Sequence, residues 1–191
     1  FQIYFISLVI LHSNPFELSG RSAVSGMGMN PLLLNPFMAV HPPTLFLGFA
    51  GFSVPCAFAL SALTEKKYRA DWPAQERNWI LFAWLFLGIG NIFGMVWAYE
   101  ELGWGGYWGW DPVENASFLP WLTSTALLHI ATSKKADRYF GVYSAFLPVL
   151  TFCLIIFGTY ITRSGVIQSV HAFAETTVSP YFLGLIVFLI L

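Results

Sequence analysis

Apolar residues occur in long blocks along this chain rather than alternating with polar ones. Four blocks stand out: Pro42 to Leu63, Trp79 to Tyr99, Pro120 to Ser133, and Tyr139 to Ile161. The third is short, and its start is open toward the N-terminus. A helix crossing a hydrocarbon layer needs about 20 residues. Backbone groups in lipid must be satisfied inside the segment, so the blocks predict transmembrane helices. Two more apolar runs, Phe1 to Leu11 and Tyr181 to Leu191, reach half that length. The pattern therefore predicts an all-α polytopic membrane protein. It is a helical bundle of about six transmembrane helices in one domain spanning 1–191, the first and last truncated, from the middle of a longer chain. A secretory signal is the rival reading of the first run, but no basic flank precedes it and no small-residue cleavage site follows.

The polar stretches orient the helices. Lys66, Lys67, Arg69 and Arg77 fall between the first two blocks, and Lys134, Lys135 and Arg138 between the third and fourth. By the positive-inside rule these loops face the cytoplasm. The stretches 12–41, 99–119 and 162–180 hold only Arg21 and Arg163 and face outward. Within the second block Gly90 and Gly94 allow a neighbouring backbone to approach closely, and Pro55 predicts a kink in the first.

Composition agrees with the pattern and removes whole classes. Of 191 residues, 57% are hydrophobic and only 10% charged, well below the roughly 25% charged residues of a soluble domain. A net charge of −1 gives no polycation for nucleic acid. Cys56 and Cys153 are far apart in apolar blocks and read as packing residues, not as a disulfide or metal framework.

The outward segment 99–121 carries the chemistry. Trp104, Trp108, Trp110 and Trp121 are interleaved with Gly103, Gly105, Gly106 and Gly109. Tryptophan belts at the membrane interface explain such rings, but a belt needs no glycines between them. The alternative is a flat aromatic platform for a planar ligand. Asp111, Pro112 and Glu114 fit a helix start, with Asp111 as N-cap, proline at the first position and Glu114 reaching back. Glu100 and Glu101 have no such assignment, and a carboxylate metal site lacks a nearby histidine.

Three histidines deserve weighing against plain solvation or packing. His41 precedes Pro42 and Pro43, which bias it to an extended backbone at the outer mouth of the first span. His171 lies in the outward stretch after Arg163. Two outward histidines beside an aromatic surface suit bis-histidine ligation of haem iron, although a loop histidine on its own is usually just solvated. His129, counted from Pro120 at 1.5 Å per residue, falls about 14 Å deep and on the Trp121 and Thr125 face, which predicts a ring pointing into the bundle. It is either a buried ligand or a histidine satisfied by a neighbouring helix. His12 has no comparable context.

The run from Trp104 through Asp111-Pro-Val-Glu-Asn-Ala-Ser-Phe-Leu-Pro to Trp121 resembles the tryptophan-rich WWD signature of haem-handling proteins. Within that family it is most similar to the CcmF-type cytochrome c haem lyases. Asn30 to Pro36, His41-Pro-Pro, Ala126-Leu-Leu-His129 and Thr162 to Ala174 resemble them too, in the same order. The resemblance implies cytochrome c maturation outside the membrane. Haem from a CcmE-like chaperone is ligated by His41 and His171 over a platform of Trp104, Trp108, Trp110, Asp111 and Trp121. Its vinyl groups are joined to the CxxCH cysteines of an apocytochrome c presented by CcmH- and CcmI-like subunits. His129 would be one of two ligands of a stable b-type haem that keeps the iron reduced, its partner histidine having no counterpart here. No catalytic nucleophile of the chain's own is implied. The implied location is the bacterial inner membrane with a periplasmic active face, or else the mitochondrial inner membrane. A transporter or export subunit for haem or another small molecule is the other class, but full spans holding only His129, Asn91 and small hydroxyls lack the usual carboxylates. A purely structural respiratory subunit leaves the glycine-spaced tryptophans unexplained.

Overall fold

A computed structural model of the chain describes residues 1–18, 25–26, 28–64, 76–103, 105–133, 141–169, 171 and 176–191. Trp104, Arg21 and the basic residues Lys66, Lys67, Arg69, Lys134, Lys135 and Arg138 lie outside these. The helices are α1 (Gln2–His12), α2 (Pro36–Gly51), α3 (Ser53–Thr64), α4 (Arg77–Glu101), α5 (Pro112–Thr132), α6 (Gly141–Ser164) and α7 (Ser179–Ile190). A 3₁₀ turn at Pro31–Leu33 precedes α2, and no strand occurs among the described residues.

Together α2 and α3 make one apolar stretch of 29 residues. Their junction is where Pro55 acts: it has no N–H for the carbonyl of Gly51, four residues back. The flanking bonds persist, Phe52 N–H to Gly48 O at 3.3 Å and Cys56 N–H to Phe52 O at 3.2 Å, so the helix is interrupted rather than broken. With α4 and α6, this gives three helices long and apolar enough to cross a membrane among the described residues. The 21 residues of α5 and the short apolar helices α1 and α7 complete an all-helical multi-pass arrangement.

One sequence expectation needs correction, and one left open is settled. The first span begins at Pro36, six residues before Pro42, because the Asn35 side chain accepts from Phe37 N–H and Pro36 fills the first helical position. His41 is therefore helical, not extended, and Pro42 and Pro43 sit inside α2. Packing overrides the local bias of a residue before proline. A Cβ on Gly48 would lie 2.5 Å from Leu87 N, and one on Gly90 2.7 Å from Leu45 Cα, so α2 and α4 touch backbone to backbone. The third span begins at Pro112, well before Pro120, and Pro120 is fully buried within it.

The most extensive helix pairing is α2 on α4, followed by α5 on α6, with α3 and α7 flanking α6. Phe52, Leu87, Phe152 and Ile156 form the core with Cys56 and Cys153, both free thiols used as small packing residues. A hydroxyl pair, Thr123 Oγ1 to Thr151 Oγ1 at 2.8 Å, ties α5 to α6.

Candidate functional site

The turn from α4 into α5 is built by backbone demands. Gly103 and Gly105 take φ of +66° and +75°, which a side chain would resist. A Cβ on Gly105 or Gly106 would meet nothing within 4 Å, so these glycines bend the chain and do not clear space between rings. The flat platform expected from the sequence is not formed in this loop: Trp108 and Trp110 stand nearly perpendicular, at 84°. Trp110 has φ +56° and is 72% exposed. Only ten residues, 102–111, lie between the two helices. Glu100 and Glu101 end α4, and 112–121 already belong to α5.

The capping box foreseen at Asp111 is present. Asp111 Oδ2 accepts from Val113 N–H at 3.0 Å, and Glu114 Oε2 accepts from the N–H groups of Asp111 and Gly109 at 3.1 and 3.0 Å. Asp111 does more than cap. The same Oδ2 accepts from the Ser169 hydroxyl at 2.7 Å and from His171 Nδ1 at 3.1 Å. Ser169 Oγ in turn accepts from His171 N–H at 2.9 Å. The stretch bearing His171 is closed below by the Arg163 carbonyl, which accepts from Thr176 N–H and the Ser179 hydroxyl. Trp97 meets the His171 ring edge-on at 5.6 Å, while its own N–H is spent on Leu32 O at 2.9 Å.

His41 reaches the same place from α2. A carbonyl can only accept, so the contact of His41 Nδ1 with Gly90 O at 2.7 Å fixes the proton on Nδ1 and leaves the lone pair on Nε2. The ring fits because Gly94 has no side chain: a Cβ there would sit 2.7 Å from His41 Cε1. The second glycine of the pair thus makes room for a ring, which the sequence reading treated as helix packing alone. His41 and His171 line one cavity of about 60 Å³ together with Met95, Trp108, Glu114 and Ser117. That volume has room for a few waters, and not for a macrocycle.

A larger groove adjoins it. About 470 Å³ of space lies along α4 and α5, sharing Asn91, Met95 and Trp108 with the histidine cavity and lined further by Trp84, Trp110, Phe118 and Trp121. Here the flat rings do stack: Phe118 on Trp121 at 16° and Trp121 on Trp84 at 23°. Trp84 donates to Thr125 Oγ1 at 2.8 Å, and Ser117 donates to Asn91 Oδ1 at 2.6 Å. Sequence reasoning missed Trp84, Asn91, Met95, Trp97 and Ser169. For the first three a signal existed, because 84, 88, 91 and 95 follow the one-face spacing of a helix.

His129 departs from expectation in two ways. It lies in the last turn of α5, since that helix starts at Pro112, and its ring is exposed rather than turned into the bundle. Ser124, Leu127 and Ala131 take the inward face. Its Nδ1 is bonded to Thr125 O at 2.8 Å. Glu100 and Glu101 form no metal cluster among the described residues. Both accept from the one amide of Asn35, at 2.8 and 3.0 Å, which fastens the start of α2 to the end of α4. His12, in the last turn of α1, lies against the Tyr181 ring at 4.4 Å between centroids.

Two histidines braced at Nδ1 thus line one cavity, and an indole-walled groove adjoins it. Residues 1–168 match the model of the cytochrome C assembly protein family, and the chain belongs to that family. It is 48% identical over 172 residues, 90% of its length, to the cytochrome c-type biogenesis protein CcmF of Pseudomonas aeruginosa, and 47% identical over 182 residues, 95% of its length, to CycK of Bradyrhizobium diazoefficiens. It spans 26% and 28% of those two relatives. A solved structure of cytochrome c haem lyase CcmF superposes with a TM-score of 0.76 at 40% identity, over 98% of this chain and 28% of that one.

Proposed function

We propose that this chain forms the haem-presenting face of a cytochrome c haem lyase. The observation that carries the reading is the pair His41 and His171, each anchored through Nδ1, to Gly90 O and to Asp111 Oδ2, and both facing one cavity. Anchoring at Nδ1 directs Nε2 to iron, the arrangement that second-shell bonds give metal-binding imidazoles. The macrocycle extends from the histidine cavity across Asn91, Met95 and Trp108 into the groove, where the rings of Trp108, Trp110, Phe118 and Trp121 supply apolar cover. Trp104 belongs to the same proposal on its place in the motif.

The substrate haem arrives from a CcmE-like chaperone. Each of its vinyl groups takes up one CxxCH thiol of apocytochrome c, delivered by CcmH- or CcmI-like subunits. Sulfur bonds to one vinyl carbon and hydrogen to the other. The nucleophile belongs to the apocytochrome, so this chain contributes fixed orientation, worth several kcal/mol. The reaction is placed on the periplasmic side of a bacterial inner membrane. His129 is assigned to a resident b-type haem through its Nε2. One described ligand fits half of a bis-histidine pair, and the other half belongs to the remaining length of the longer relatives. When bound, that haem supplies electrons to keep the substrate iron ferrous.

The test replaces His41 and His171 singly with Gly and scores cytochrome c maturation with and without added imidazole. Loss that imidazole partly restores is expected; full maturation by both variants would overturn the reading. For His129, reduced spectra of the full-length protein and its His129→Ala variant are compared, and persistence of the b-type bands would reduce His129 to a surface residue of α5.

A further inference from the structure

The two histidines are not held alike. His41 Nδ1 donates to a neutral backbone carbonyl, Gly90 O, from within α2. His171 Nδ1 donates to a carboxylate, Asp111 Oδ2, which lies largely buried and also takes the Ser169 hydroxyl and Val113 N–H. We propose that Asp111 is a positioning residue that makes His171 the retained axial ligand of the haem in transit, and that His41 is the ligand exchanged for the histidine of the incoming CxxCH segment. The inference rests on the haem reading above and deepens it.

The chemistry demands such an exchange. Iron with two imidazoles has no open position, and the attachment motif brings a histidine of its own. One Fe–N bond must break as another forms, with no electron transferred. An imidazole whose far N–H is polarised by a carboxylate gains basicity and binds iron more strongly than one bonded to an amide carbonyl, and removing such a partner typically costs 10- to 100-fold in metal affinity. Backbone placement points the same way. His41 is fixed to a helix whose contact with α4 at Gly48 and Gly90 leaves no slack, so its backbone cannot follow iron drawn toward the apocytochrome. The WWD aspartate then acts behind the imidazole rather than on the haem itself.

The experiment uses haem-loaded full-length protein and two readouts. The first is the midpoint potential of the outer haem in Asp111→Asn, chosen because asparagine caps a helix as well as aspartate. A weaker donor stabilises ferric iron less, so the potential should rise, and the same substitution on a His171→Gly background should add nothing. Ser169→Ala gives a control of opposite sign: without the competing hydroxyl, Oδ2 polarises His171 more and the potential should fall. The second readout is titration with a Ser-x-x-Ser-His peptide, which supplies the histidine but forms no thioether. Peptide bound to wild type should give the spectrum of peptide bound to His41→Gly. In Asp111→Asn, haem should be stripped at a peptide concentration at least tenfold lower than in wild type. An unchanged potential in Asp111→Asn, a shift that survives loss of His171, or a wild-type end point matching His171→Gly would each overturn the proposal. If the outer haem spectrum is indifferent to both histidine replacements, the haem reading itself fails and takes this inference with it.

Discussion

Gly94 and Gly48 look alike in the sequence, yet adding a methyl group at each meets different matter. At Gly94 the new Cβ would lie 2.7 Å from His41 Cε1, the end of a side chain that can swing away at the loss of its bond to Gly90 O. At Gly48 it would strike the Leu87 backbone, which cannot move alone. Gly48→Ala should therefore destabilise the protein by about 1–3 kcal/mol. Gly94→Ala should leave the thermal midpoint in detergent nearly unchanged while lowering haem affinity about tenfold or more. Tight haem binding by Gly94→Ala would remove His41 from the ligand set. Glu76, just before α4, tests a different quantity. It is buried, Oε2 has no hydrogen-bond partner, and burial raises its pKa above the ordinary carboxylate value. An acid whose folded pKa is raised destabilises the fold at pH values above that pKa, and the penalty vanishes below its unfolded pKa. Glu76→Gln should thus raise the unfolding midpoint at pH 7.5, with the gain shrinking as the pH approaches 4.5. A gain independent of pH would show that charge is not the cause.

At the scale of elements, the parts of the site governed by local rules were legible in the sequence. The capping box at Asp111 and Glu114 depends on spacing within one turn, and it stands as foreseen. What spacing cannot give is the direction of a ring. The glycines around the tryptophans suggested a flat platform, but their φ values bend the chain, and stacking occurs instead on Trp84, Phe118 and Trp121, carried by helices. His41 failed similarly: its prolines argued for an extended backbone, and contact with α4, a long-range effect, decided for helix. Among the described residues, Trp110 is the non-glycine with a left-handed backbone, at φ +56°. A left-handed conformation costs a side-chain-bearing residue about 1–2 kcal/mol, and an exposed ring returns little of this by burial. Trp110→Gly should therefore unfold at a higher temperature than Trp110→Ala, while both lose haem transfer to the same degree. Equal thermal midpoints would mean that no strain is held there, and normal transfer by both would return Trp110 to the role of an interfacial belt residue.

For the molecule as a whole, helix ends sort the charges. Thr64, Arg77 and Thr132 mark one end of the bundle, and Glu101, Pro112, Ser164 and Ser179 the other. Of the Lys and Arg residues in the described part, Arg77 stands at the first end and Arg163 at the second, the one that bears the histidine cavity. Positive charge resists translocation, whereas Asp and Glu contribute little to orientation, so Glu100, Glu101 and Asp111 do not oppose the assignment. The proposed haem attachment outside the cytoplasm requires the cavity to face away from the basic loops. Single cysteines placed in a background lacking Cys56 and Cys153 can decide this, at Phe16 and Val166 on the cavity end and at Thr64 and Ser133 on the other, all four exposed. A membrane-impermeant maleimide applied to cells with a permeable outer envelope should label the Phe16→Cys and Val166→Cys proteins directly. The Thr64→Cys and Ser133→Cys proteins should react only after the inner membrane is opened. The reverse pattern would turn His41 and His171 toward the cytoplasm and overturn the proposal that haem is attached on the outer side.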